Sequence, residues 1–110
     1  MRTIEKDIEL TRKNSFGFNF SIKNLTEDLT SCFLSCKETP EDETYIFQKS
    51  LGNGIKKLDS GGYYVKIEPN DTKDMDFTKY YYDLQITIGQ DVYTPLKGRM
   101  YIRWNVTEEV

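Results

Sequence analysis

The sequence predicts an all-β chain folded as an antiparallel sandwich of about seven or eight strands, and three observations carry that prediction. Apolar and polar residues alternate with period two along most of the chain. Turn signals recur roughly every 8 to 12 residues, the spacing of a sandwich. Only 71–79 has helical character, and it is barely two turns long.

The elements follow in order. Ile4 to Leu10 is a weak extended candidate. Phe16, Phe18, Phe20 and Ile22 alternate with Gly17, Asn19 and Ser21, the pattern of a half-buried strand. Ser31 to Lys37 and Thr44 to Ser50 are weaker candidates, joined by an acidic, proline-bearing loop from Glu38 to Glu43. Gly52-Asn53-Gly54 reads as a hairpin turn before Ile55 to Leu58, and Asp59-Ser60-Gly61-Gly62 as the next turn. Tyr63, Val65 and Ile67 alternate with Tyr64 and Lys66, and Tyr80, Tyr82, Leu84, Ile86 and Ile88 repeat the pattern over roughly 30 Å of chain. Gly89-Gln90-Asp91 suits a tight hairpin with Gly89 at positive φ. Pro95 marks an edge or a bulge in the last strand and Gly98 a second irregularity; Met100, Ile102 and Trp104 close that strand on the buried side. Each strand has one wet and one dry face, so two dry faces must close on each other, at about 1.5–3 kcal/mol per large side chain buried.

A chain of 110 residues fits one domain, 1–110, with no linker or repeat. Its 15 bases and 18 acids are interspersed, for a net charge of −3. Nucleic-acid binding needs a clustered basic stripe, and a membrane span needs roughly 20 apolar residues; neither pattern occurs. The N-terminus, Met1 to Asp7, is charged and lacks the apolar run of a signal peptide. With no histidine, the commonest general base and most mixed zinc sites are lost.

Cys32 and Cys36 lie four apart. On a strand that places their α-carbons roughly 13 Å apart, beyond the about 7 Å a disulfide tolerates. They read as two small buried hydrophobes in a reducing compartment. The acids Asp71, Asp74 and Asp76 fail the calcium-loop spacing, since Lys73 or Lys79 falls where a ligand or glycine is needed. No metal and no cofactor is therefore expected. Asp83 shares a face with Tyr81 and Gln85 and is placed to pair with Lys97 or Arg99 on the next strand.

The segment from Asp71-Thr72 to Tyr80 and Tyr82 matches the corner of immunoglobulin-like sandwiches, in which a tyrosine at the start of the penultimate strand bonds back to the corner backbone. Tyr80 is placed for that role, with Tyr82 packing where antibody domains place a cysteine; the alternative is that Tyr80 is simply another inward aromatic. The chain carries eight tyrosines, six phenylalanines and one tryptophan, mostly assigned to the core by parity. Tyr64, Tyr81 and Tyr101 have the opposite parity and face outward, as candidate interface anchors or as ordinary strand residues.

The run Tyr80-Tyr81-Tyr82-Asp83-Leu84-Gln85-Ile86-Thr87, then Val92-Tyr93-Thr94-Pro95-Leu96-Lys97-Gly98-Arg99-Met100 and Asn105-Val106-Thr107, resembles the modules of phage and prophage structural proteins of Gram-positive bacteria. These include the amino-terminal domain of baseplate upper proteins of tailed phages. Pro69-Asn70-Asp71-Thr72 and Phe16 to Ile22 are similar to their upstream segments. The sequence departs from the pattern at Pro95, where a leucine is usual, and at Asn105, where an aspartate is usual. The resemblance implies an immunoglobulin-like fold and a non-enzymatic virion part of tail or baseplate type. Its expected partners are other virion proteins or identical copies, and its expected location is the virion, with the bacterial host cytoplasm during assembly. With the chain ending at Val110, the long fibre region of larger relatives is expected to be absent. The alternatives are a small carbohydrate-binding module that stacks sugar on its outward tyrosines and, behind it, a hydrolase using an acid pair.

Overall fold

In the computed structural model, which describes residues 1–107, the strands are β1 (Ile4–Glu5), β2 (Ile8–Thr11), β3 (Phe16–Phe20), β4 (Ser31–Lys37), β5 (Phe47–Leu51), β6 (Gly54–Lys57), β7 (Tyr63–Ile67), β8 (Lys79–Ile88) and β9 (Asp91–Arg103). One helical turn, α1 (Pro69–Thr72), precedes β8. The expected chain end at Val110 lies outside the described residues.

The all-β prediction holds, in a form richer than a plain antiparallel sandwich. One layer has the order β1-β9-β8-β4-β5, with β2 also on β9; the other has the order β6-β7-β3. The layers join through β5 and β6, so a mixed sheet of nine strands curls into a half-barrel around one core. The first strand runs parallel to the last one in β1 and β2, as Ile4 pairs with Leu96 and Ile8 with Met100. The start of the chain thus lies against its last strand in one layer.

The alternation does what the sequence requires. Leu34 stands opposite Leu84 in the β4–β8 ladder and Cys32 opposite Ile86, all of them buried. Val65 and Ile67 of β7 are fully buried beside their cross-strand partners Phe18 and Phe16 of β3, which are half-buried. Cys32 and Cys36 are free thiols within this core, as their spacing requires. Burial pushes both thiols up to about 12.

The corner between β7 and β8 forms as read. The Tyr80 hydroxyl accepts the Asp76 backbone N–H at 2.8 Å, which fixes the entry angle of β8. The helix is shorter than the 71–79 expected. Pro69 starts it, Glu68 and Asp71 close it reciprocally in a capping box, and Asp76 leads straight into the tyrosine corner.

Other expectations need correction. Gly52-Asn53-Gly54 is not a hairpin but a hook between layers. With Gly52 at φ 84° and Gly54 at φ 96°, the chain reverses twice and β6 leaves parallel to β5. Gly98 keeps the β8–β9 register, opposite Tyr82. Its lack of a side chain serves a close approach, because a β-carbon there would lie 2.2 Å from the Lys6 carbonyl oxygen. Pro95 is indeed in a bulge: Leu84 pairs with Leu96 and Ile86 with Tyr93, leaving Thr94 and Pro95 against Gln85 alone. Trp104, read as inward, lies past the end of β9 and is 67% exposed.

Candidate functional site

The candidate site is the outer face of the layer β1-β9-β8-β4-β5. It is assembled by register. Gln48 of β5 faces Ser35 of β4, Ser35 faces Asp83 of β8, Asp83 faces Lys97 of β9, and Lys97 faces Glu5 of β1. A single polar row thus crosses the whole layer. Beside it runs a second row in which Lys37 faces Tyr81 and Tyr81 faces Arg99. On the other side Phe33 faces Gln85. The connection between β4 and β5 rises along one edge and brings Pro40 and Tyr45 to the rim of a groove of about 780 Å³ over these rows.

The row is internally bonded. The Gln48 amide donates to Ser35 Oγ at 2.9 Å. The Lys97 ammonium lies 3.7 Å from the Glu5 carboxylate, so the cross-strand partner expected for Asp83 leans to the neighbouring strand instead. Desolvation raises the Asp83 carboxyl, against the opposing pull of Lys37 and Lys97. A carboxylate in the middle of a sheet face, partly stripped of water and held between two lysines, is an electrostatic landmark on that surface.

The three outward tyrosines do not share one surface. Tyr81 and Tyr101 lie on this face as diagonal neighbours, since Arg99 pairs with Tyr81 and Tyr101 is two residues further along β9. Cations cover both rings: Lys79 Nζ is 5.8 Å from the Tyr81 centroid and Arg103 Cζ is 5.4 Å from that of Tyr101. Tyr64 belongs to the other layer. Its hydroxyl fills the space above Gly17, where a β-carbon would lie 2.1 Å from it, so Tyr64 packs as a lid over a strand glycine.

Sequence reasoning missed two apolar contributors. Phe33 faces outward because Cys32 and Leu34 take the inward positions of β4; the parity was legible, but neither cysteine nor serine marks a face strongly. Tyr45, 50% exposed with Lys37 Nζ 5.3 Å from its ring centroid, lies in the loop just before β5, where no period applies. Among the described residues, no cluster of three or more acids and cysteines is placed to hold a metal ion.

The arrangement is a ladder-supported surface with aromatic groups beside a charged row. Among the described residues, no helix is long and apolar enough to cross a membrane. In comparison with known proteins, neither a family model nor a curated protein matches the sequence.

Proposed function

We propose that this chain is a non-enzymatic structural or assembly module of a phage or prophage virion, of tail or baseplate type. In this reading it binds neighbouring virion proteins through the outer face of the β1-β9-β8-β4-β5 layer. The observation that carries the contact reading is the in-register row Gln48–Ser35–Asp83–Lys97–Glu5, flanked by Tyr81 and Phe33. Tyrosine, phenylalanine and arginine are residue types enriched at interfaces, and the Asp83 and Lys97 charges beside them would orient a partner. The virion assignment rests on the sequence resemblance of the Tyr80 to Met100 segment.

The carbohydrate reading has less support. A sugar platform needs open ring faces, whereas Lys79 and Arg103 already lie against Tyr81 and Tyr101, and Tyr64 packs on Gly17 in the other layer.

Mass spectrometry of particles purified from an induced host tests the proposal. The chain is expected at fixed stoichiometry with tail or baseplate proteins, and Tyr81→Asp is expected to remain folded but to be lost from particles. Absence of the wild-type chain from particles, or undiminished incorporation of folded Tyr81→Asp, overturns it.

A further inference from the structure

The two free edges of the sheet are built differently. The edge formed by β1 and β2 is short and carries Glu5, Lys6, Asp7 and Glu9, the charges by which proteins ordinarily keep an edge from pairing with another chain. The edge formed by β3 has no such protection. Asn14 to Ile22 contains no charged residue in a chain that is 30% charged, and no proline interrupts it. Among the described residues β3 pairs with β7 alone, which leaves its second row of backbone groups open. Its three phenylalanines face the core yet stay partly exposed, because no strand lies beyond them.

The strand is also symmetric about its middle. Phe16-Gly17-Phe18-Asn19-Phe20 reads nearly the same in both directions. Turned antiparallel on itself about Phe18, it sets Phe16 against Phe20 and Gly17 against Asn19 of the other copy. All the phenylalanines then remain on the core side, and the small polar positions remain outside. The nearest charges, Lys13 and Lys23, lie beyond both ends of the strand.

We infer that β3 is a self-association edge, through which two copies of this chain pair antiparallel about a two-fold axis at Phe18. The β6-β7-β3 layers of the two copies then form one continuous sheet. The half-covered phenylalanines lose their remaining exposure to the same residues of the partner copy. A closed two-fold contact uses the β3 edge once, and the remaining β1 and β2 edge is guarded by its charges, so the product is a dimer and not a fibre. The outer face of the other layer stays free, so this contact is independent of the proposed virion-binding face.

Sedimentation equilibrium of the full chain from about 1 to about 100 μM is the first test, a range that spans micromolar dissociation constants. A monomer–dimer equilibrium is expected, and amide protection in 15–21 should rise with concentration. A chain that stays monomeric, or a dimer whose added protection falls elsewhere, overturns the inference. Phe18→Cys supplies the register test. Opposed α-carbons in an antiparallel pair lie about 4.5–5.5 Å apart, within disulfide range, so mild oxidation should link two copies. Phe16→Cys should not link, because its symmetry mate is more than about 13 Å away. Equal linkage of the two variants, or none in a folded Phe18→Cys, contradicts the register. The native thiols are buried and do not interfere.

Discussion

Lys49 and Asp71 join β5 to the corner before β8 through an ion pair of 2.6 Å, with only 10% and 16% of their side chains exposed. Lys49 is one of two buried polar residues in the described chain, and it lies on the core side of its strand between Phe47 and Leu51. Its aliphatic stem runs beneath Gly54, where a β-carbon would come within 2.6 Å of the Lys49 Cδ. Asp71 in turn accepts the Glu68 backbone N–H at 2.7 Å. One pair therefore ties the hook between the layers to the corner that launches β8.

Lys49→Met leaves Asp71 poorly hydrated and without its cation. A loss of about 2–4 kcal/mol is expected, between the values for exposed and fully buried pairs. Asp71→Asn keeps an acceptor for Glu68 and should cost less. The double variant Lys49→Met with Asp71→Asn should recover part of the loss, and urea unfolding midpoints measure the whole cycle.

Tyr80→Phe removes the hydroxyl that accepts the Asp76 N–H. The expected loss is about 1–2 kcal/mol by urea unfolding, the cost of leaving a part-buried donor unpaired.

Gly98→Ala places a methyl group against the Lys6 carbonyl, which also accepts the Tyr82 hydroxyl. The strain should release β1 and β2 from β9 before the rest of the fold. Hydrogen exchange should show lost protection in 4–11 with a largely unchanged core, and a global loss of about 1–3 kcal/mol.

Alkaline pH tests the core thiols and Tyr82 together. Burial pushes Tyr82 up to about 12 from an ordinary 10.0, and both thiols up to about 12 from 9.0. These groups favour the neutral form in the folded state, so their contribution is complete below pH 9 and is lost as pH rises from 9 towards 12. Thermal unfolding midpoints should hold steady up to about pH 9 and then fall. A thiol reagent at pH 8 should label Cys32 and Cys36 only after denaturant is added.

Much of this fold is legible in the sequence because side-chain direction in a strand has period two. Tyr82, Leu84 and Ile86 declare their face without any knowledge of their partners. The Tyr80 corner is legible for the same reason: both ends of its hydrogen bond lie within four residues. Pairing direction is not, because the parallel partner of Ile8 is Met100 at the far end of the chain. Burial of Lys49 depends on Asp71, which no local pattern connects to it. Trp104 continues the alternation of β9, but the ladder opposite it has already ended at Lys79. The same limit applies to the candidate face. Parity shows Tyr64, Tyr81 and Tyr101 as outward, but only the topology separates Tyr64 from the other two.

Site-specific photo-crosslinking in assembled particles tests the central proposal most directly. A benzoylphenylalanine replaces Tyr81, Phe33 or Tyr64 in turn, and linked proteins are identified after illumination. Positions 81 and 33 are expected to link to another tail or baseplate protein, whereas position 64, which lies over Gly17 of β3, is expected to link to nothing except a second copy of this chain. Particles in which position 64 links to another tail or baseplate protein and positions 81 and 33 do not would contradict the assignment of the contact to this face.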